Sequence, residues 1–320
     1  MKPTDLPLLL SLSAPTVHPD GHRAVVAVSR PDLASDSYVG QLWEVTLDGS
    51  GSRRLSRGHH DTNPRFSPDG SLLAFLRAGL EGPAQLWVMA AAGGEALQLT
   101  EAKLGVATYR WSPDSGRIAF TAAVPEEGRY GTVKGLGADA EPPRRITALK
   151  YKANGLGYTI DRRRHVFLVD VPDLSTEPVY PTAASADDPA PEPPTLVPEA
   201  RRVTFGDFDH GSIAFSPDGS RLAVVSERHP TRDVDLVSHV FEVELADPEA
   251  EPTRLTGDDD RYGVSTIAYG PAGELFFVAT DLGETGTDFV GRSDQLYVIE
   301  RSGASSRRLT AVETVDLGET

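Results

Sequence analysis

The sequence contains no cysteine and fewer basic than acidic residues, and both deficits restrict its function. Without cysteine the chain forms no disulfide and no thiolate metal site, and it suits a reducing compartment such as the cytoplasm. Its 31 Lys and Arg against 47 Asp and Glu give a net charge of −16, which repels nucleic acid and anionic membranes. No segment reaches the roughly 18 apolar residues of a membrane span. We therefore expect a cytoplasmic protein with no nucleic-acid and no membrane partner.

Several catalytic motifs are also missing. The sequence has no Gly-x-Ser-x-Gly, and the nearest serine context, around Ser293, lacks the closing glycine. It has no phosphate-binding glycine loop before a helix, no His-Glu-x-x-His and no helix-loop-helix calcium loop. We therefore expect no catalytic residue, no cofactor and no peptidase or esterase activity in this chain alone.

One turn motif recurs along the chain. In Ser67-Pro68-Asp69-Gly70, proline presets the second position of a type I turn and glycine accepts the positive φ needed to re-enter a strand. Five copies in one chain indicate a repeat protein. They are Val17–Gly21, Phe66–Gly70, Trp111–Gly116, Phe215–Gly219 and the more divergent Tyr269–Gly273.

Each turn is followed by strands in the same order. The third strand of every repeat reads Gln or His, aliphatic, aromatic, any residue, aliphatic, as in Gln85–Met89, and the fourth ends in Ser or Thr, as in Leu97–Thr100. A four-stranded unit of about 45 residues predicts an all-β fold, a β-propeller of four-stranded antiparallel blades. We predict five recognisable blades, at approximately 14–56, 63–100, 108–204, 212–256 and 265–310.

The third blade is longer than the others. Pro113 and Pro217 are 104 residues apart, roughly twice the other intervals, so we place insertions at 124–164 and 172–198. The second contains the proline-rich segment Pro189–Pro194 and suits a surface loop. The alternative is a degenerate extra blade whose fourth strand is Arg144–Thr147, although no Pro-Asp-Gly turn accompanies it.

Four polar groups are candidate sites. Three of them, His59–Asp61, Asp207–His210 and Asp258–Asp260, connect one blade to the next and could share a metal, but such residues also stabilise ordinary turns, which we prefer. The fourth is a basic and aromatic group that could contact substrate or another domain, or could be a solvated loop. It consists of Lys150, Tyr151, Lys152, Tyr158, Arg162, Arg163 and Arg164.

The segment from Arg145 to Asp170 resembles the third-blade insertion of acylaminoacyl-peptidase-like members of the prolyl oligopeptidase family. The matching motifs are Arg145–Thr147, Leu149–Lys152, Asn154–Tyr158 and Asp161–Asp170. The resemblance implies an amino-terminal, noncatalytic propeller of typically seven blades that covers a carboxy-terminal α/β-hydrolase domain and admits short peptides. Because we recognise five blades and no hydrolase domain, we expect this chain to be an incomplete, amino-terminal part of that architecture.

Three functions remain open: a propeller that gates a serine oligopeptidase, a stand-alone TolB-like propeller that binds proteins, and a lactonase-like propeller enzyme with a central metal. In the first, the partners are the hydrolase domain and short peptides. An incomplete ring would also expose Val25, Val26 and Leu309, so we expect self-association.

The topology also predicts where binding occurs. In an up-down blade, the second-to-third-strand loops and the blade-to-blade loops emerge at one end. Here they include 124–164, 227–238 and the Asp and His clusters, so we expect that end to face the hydrolase and its substrate, with Tyr158 and Arg162 as contacts.

Overall fold

The computed structural model describes residues 2–177, 197–300 and 306–318, and it is built almost entirely from β-strands. Two short 3₁₀ helices span Pro3–Leu8 and Ala138–Ala140. The strands are, in chain order, β1 Ser11–Leu12, β2 Thr16–Val17, β3 Arg23–Asp32, β4 Ser37–Thr46, β5 Ser52–Arg54, β6 His60–Phe66, β7 Leu72–Ala78, β8 Gln85–Ala90, β9 Leu97–Gln98, β10 Val106–Trp111, β11 Arg117–Ala123, β12 Lys152–Ala153, β13 Gly157–Tyr158, β14 Arg164–Asp170, β15 Arg201–Arg202, β16 His210–Phe215, β17 Arg221–Ser226, β18 His239–Glu244, β19 Thr253–Arg254, β20 Tyr262–Tyr269, β21 Leu275–Asp281, β22 Gln295–Ile299 and β23 Arg307–Arg308.

The chain divides into two compact units. The described parts of 1–106, 114–117 and 169–200 form the first, and the described parts of 107–113, 118–168 and 201–320 form the second. In the first unit, two antiparallel groups, β1 to β5 and β6 to β9, join into one sheet through a parallel bridge between Gly40 and His60. The second unit contains the four-stranded sheets β16–β19 and β20–β23, most of the sheet β10-β11-β14-β15, and the small hairpin β12–β13.

The recurring turns have the predicted geometry. Gly70 N–H donates to the Ser67 carbonyl over 2.9 Å, and Gly70 has φ +77°. The Asp69 carboxylate adds bonds that the sequence did not reveal, because it accepts from the Ser67 hydroxyl at 2.5 Å and the Ser71 N–H at 3.0 Å. In the third copy the residue with the positive φ is Ser115, at +62°. A serine therefore adopts the left-handed conformation that glycine adopts in the other copies.

The core lies between successive sheets, as strands that are apolar on both faces predict. In β7, β11 and β17 four or five consecutive residues are buried, whereas burial alternates along much of β4 and β21. Our expectation for Val25 was wrong: it is 0% exposed, because it packs in the core with Leu42 and Phe75. Its neighbour Val26, on the opposite face of β3, is half-buried, and Leu309 is exposed.

The repeated third- and fourth-strand signatures form one hydrogen-bonded clamp in every repeat. The hydroxyl that ends the fourth strand accepts from the backbone N–H one residue after the Gln or His of the third strand. In the second repeat the Thr100 hydroxyl accepts from Leu86 N at 2.9 Å and donates to Gln85 Oε1 at 2.8 Å. The five N–H and hydroxyl pairs are Leu42 and Ser56, Leu86 and Thr100, Val166 and Thr204, Val240 and Thr256, and Leu296 and Thr310. The signature is therefore a structural requirement for attaching the short outer strand.

Removing one clamp hydroxyl is expected to destabilise the protein. Thr100 is 2% exposed, so T100V leaves the Leu86 N–H buried without its acceptor, and the expected loss is about 1–3 kcal/mol in the free energy of unfolding. Urea unfolding measures this loss. T100S retains the hydroxyl and should recover most of it, and T287V, at an exposed threonine, should change little. Equal losses for T100V and T100S would contradict the clamp.

The all-β propeller class is confirmed by this architecture and by the structural comparisons given below. Residues 144–147 form no strand, so the structure does not support the alternative of a degenerate extra blade. The segment Pro189–Pro194 lies outside the described residues.

Candidate functional site

The insertion 124–164 is organised around a buried carboxylate. Asp161 is 3% exposed and accepts hydrogen bonds from the Tyr130 hydroxyl at 2.9 Å and from Arg144 Nε at 2.5 Å. Arg129 lies 3.5 Å from the same carboxylate. Burial alone would raise the pKa of Asp161, but the bonds from Tyr130 and Arg144 outweigh it and lower that pKa. Asp161 therefore stays ionised and fixes the base of the insertion.

Cations stacked on tyrosine rings form the next layer of the insertion. The Arg144 guanidinium lies 4.4 Å from the centroid of the Tyr158 ring, and Lys152 Nζ lies 4.5 Å from the same ring. Arg162 lies 5.1 Å from the Tyr130 ring, and its Nε donates to the Tyr158 carbonyl over 2.7 Å. Tyr151 packs near Tyr158 with ring centroids 6.2 Å apart. Tyr158 and Arg162 thus hold the insertion together.

Carboxylates attach the insertion to the loop between β17 and β18. Asp233 accepts the backbone N–H groups of Leu149 and Lys150, both over 2.8 Å. These two bonds lower the pKa of Asp233. The Lys150 ammonium lies 3.1 Å from Glu227. The insertion is therefore docked by residues more than seventy positions away in sequence.

A second attachment joins the insertion to the loop between β15 and β16. Arg163 Nε donates to Asp207 over 2.6 Å, and its Nη1 donates to Asp209 over 3.0 Å. Asp209 also accepts the Arg164 N–H over 2.8 Å. Burial opposes the charge on Arg163, but the bonds to Asp207 and Asp209 outweigh it and raise the pKa of Arg163. The Asp207–His210 cluster is thus used to hold an arginine.

These contacts enclose a cleft of about 610 Å³. Its three walls come from the insertion, the β15–β16 loop and the β17–β18 loop, so the structure brings together loops that the topology placed at one end. Of the seven predicted site residues, Lys150, Lys152 and Arg163 line the cleft, whereas Tyr151, Tyr158, Arg162 and Arg164 do not. Sequence reasoning missed Glu227, Arg232 and Asp233, which had no signal beyond the length of their loop. The lining residues are Thr147, Ala148, Lys150, Lys152, Ala153, Thr159, Arg163, Asp207, Phe208, Asp209, Glu227, Pro230, Arg232, Asp233 and Leu236.

The other polar clusters make structural contacts. Asp61 forms two hydrogen bonds with Arg77, and Asp260 accepts the Gly257 N–H over 2.7 Å. Among the described residues, no group of three or more His, Asp or Glu side chains is arranged to hold a metal ion. In the same part of the chain, no helix is long and apolar enough to cross a membrane.

The fold is that of a β-propeller protein. At 15% sequence identity, puromycin hydrolase matches with a TM-score of 0.56 over 93% of this chain and 37% of that one. A protein described as a putative TolB, from Agrobacterium tumefaciens, matches at 16% identity with a TM-score of 0.53, over 93% and 80% of the two chains.

Proteins of similar sequence indicate which family of propeller proteins the chain resembles. The chain is 30% identical over 238 residues to the uncharacterized peptidase YuxL of Bacillus subtilis, which is 74% of this chain and 33% of that protein. It is 27% identical over 231 residues to dipeptidyl-peptidase 5 of Porphyromonas endodontalis, or 71% and 31% of the two. No protein-family model matches the chain. The relatives and the fold fit a propeller domain of the prolyl oligopeptidase family, which confirms the resemblance seen in the sequence. The chain spans about a third of the length of these curated relatives.

Proposed function

We propose that this chain is the noncatalytic propeller domain of a cytoplasmic serine oligopeptidase of the acylaminoacyl or dipeptidyl peptidase type. In this role it gates access to the hydrolase domain of the same protein and forms part of the cavity for short peptides. The names of the sequence relatives support the peptidase class. The observation that carries the gating role is the cleft, because an inserted segment is fastened by carboxylates to two loops at the same end of the second unit.

The contacts that attach the insertion to the neighbouring loops allow the proposed gating role to be tested. In the full-length protein, D233A removes the acceptor of two backbone N–H groups and leaves only the Lys150–Glu227 pair to attach the insertion to the β17–β18 loop. We expect the ratio of kcat/KM for a ten-residue peptide to that for a tripeptide to rise at least about tenfold, because two hydrogen bonds to a charged group no longer hold the insertion closed. Peptide hydrolysis, followed by chromatography, measures this ratio.

The matched control is D48A, which removes an exposed carboxylate that accepts only local bonds, such as that from Ser50 N–H over 2.9 Å. It should leave the length preference unchanged. A D233A enzyme with an unchanged preference contradicts the gate. Full-length protein that a serine-directed fluorophosphonate neither labels nor inhibits contradicts the peptidase proposal itself.

The second candidate is a stand-alone propeller that binds another protein. The match to the TolB-described propeller favours it, because 80% of that chain is covered. A coding sequence that continues after residue 320 into a segment with Gly-x-Ser-x-Gly favours the peptidase, and a stop codon there favours the binding module.

A further inference from the structure

The carboxylates that line the cleft already have partners. Asp207 and Asp209 hold Arg163, Glu227 pairs with Lys150, and Asp233 accepts two backbone N–H groups. Each negative charge is therefore used to fix the walls of the cleft. Three of these carboxylates face a cation, whereas Asp233 is held by neutral N–H groups and keeps its negative charge beside Arg232.

Two cations of the same cleft are used differently. Lys152 and Arg232 both line it, and among the described residues neither forms an ion pair within 4.0 Å, although Arg232 interacts electrostatically with the neighbouring Asp233. Each lies against an aromatic ring instead: Lys152 Nζ is 4.5 Å from the Tyr158 centroid, and Arg232 is 5.2 Å from the Phe208 centroid. Stacking restricts the side chain but leaves its N–H donors available. The cleft therefore offers positioned donors with positive charge in a chain whose net charge is −16.

The remaining lining suits a peptide. Ala148, Ala153, Pro230 and Leu236 contribute apolar surface beside the polar groups. A volume of about 610 Å³ falls within the range of roughly 300–1,000 Å³ that small ligands occupy. An arginine fork binds a carboxylate through two parallel bonds, and a lysine adds a point charge.

We propose that this cleft binds the carboxylate of a short peptide through Arg232 and Lys152. The inference deepens the proposed function, since it takes peptides as the ligands and assigns them an anionic group. The carboxylate could belong to the peptide's carboxy terminus or to an acidic side chain. Both present the same planar anion, so the experiment separates them.

Binding is measured on the 320-residue chain by calorimetry at low salt. The probes are acetyl-trialanine with a free carboxylate, its carboxy-terminal amide, and the amide of acetyl-Ala-Glu-Ala. We expect the fully amidated trialanine to bind about tenfold more weakly than at least one of the other two, since a charged hydrogen bond is lost. Preference for the free terminus identifies terminal recognition, and preference for the glutamate peptide identifies side-chain recognition.

Variants connect this preference to the two cations. R232Q and K152Q should each lower the affinity for the preferred carboxylate peptide about tenfold and leave the affinity for the amidated trialanine unchanged. K134Q makes the same charge change at an exposed lysine outside the cleft and should have no effect. Lys152 is exposed on the β12–β13 hairpin, so K152Q remains informative even if R232Q folds poorly.

Equal affinity for all three peptides overturns the inference, as does carboxylate binding that survives both substitutions or no binding at all. These outcomes can be distinguished from a failure of the proposed function. If the full-length enzyme hydrolyses peptides but its propeller shows no carboxylate preference, the anion site is contradicted and the proposed gating function is not.

Discussion

Replacing Asp61 with alanine is expected to lower the free energy of unfolding by about 3 kcal/mol, because it removes the buried carboxylate that pairs with the half-buried guanidinium of Arg77. The Asp61 side chain is 0% exposed and accepts two bonds from Arg77, at 2.7 and 2.9 Å. The Arg77 guanidinium also lies 5.0 Å from each of the Phe75 and Trp87 ring centroids, so it cannot turn to solvent without losing that packing. Urea unfolding monitored by tryptophan fluorescence measures the change.

The control for this prediction is an exposed ion pair. Asp258 is 96% exposed and lies 3.4 Å from Arg254, so D258A should change stability by no more than about 1 kcal/mol. In the double variant D61L/R77M both charges are replaced by apolar groups, and the loss should be smaller than in D61A. A D61A variant as stable as D258A would show that Asp61 and Arg77 are not coupled in the folded protein.

The same aspartate shows what the sequence could and could not reveal. The recurrence of turn motifs and strand signatures predicts that His59, His60 and Asp61 connect two repeats, but that prediction is wrong for His60 and Asp61, which begin strand β6. That Asp61 faces Arg77 could not be read, since it depends on the register of β6 against β7, where the two residues are directly opposite. The sheet order follows from local repetition, whereas side-chain pairing in the connections depends on geometry that no repeat encodes.

The cleft, too, could be predicted from the sequence only in part. Composition identified the basic group, and topology correctly placed its loop beside the β15–β16 and β17–β18 loops. The sequence did not distinguish Lys152, which lines the cleft, from Arg162, whose donors bind carbonyls within the insertion. Nor did it identify Asp233, which docks the insertion from 84 residues away. Contacts of that range depend on how the insertion folds, and it matches no other repeat in the chain.

Acid sensitivity is the second large expected effect, and it originates in the clamp histidines. His239 is 3% exposed, and its Nδ1 lies 3.1 Å from the Thr256 hydroxyl. Burial first, and then the charge of Arg254, lower the pKa of His239 to about 4. His229, paired with Asp235 at 2.8 Å, packs edge-on against the ring. Burial likewise lowers the pKa of His165 to about 3 and that of His210 to about 4.

The sign of the effect follows from proton binding. Between about pH 4 and the ordinary histidine pKa of 6.5, the unfolded chain binds more protons at His239 than the folded chain does. Stability therefore rises with pH in this window and is lost as the pH falls through it. H239Q introduces the residue found in the clamps of Gln85 and Gln295, which bond their threonines without titrating.

We expect H239Q to match the wild-type free energy of unfolding closely at pH 7.5 and to exceed it at pH 4.5 by on the order of 2 kcal/mol. Both proteins still lose stability in acid through His165 and His210, so the difference between them isolates His239. Urea unfolding at the two pH values measures it.

The reciprocal substitution is the matched control. In Q85H an imidazole occupies a clamp that has no titrating group, beside the 2% exposed Thr100. Q85H loses the bond from Gln85 Nε2 to the Ala102 carbonyl at every pH, so its stability is lower throughout. It should also lose further stability between pH 7.5 and 4.5, because the half-buried imidazole resists protonation more than the unfolded one does. If the stability curves of H239Q, Q85H and the wild-type protein instead run parallel from pH 7.5 to 4.5, the acid sensitivity does not originate in the clamps.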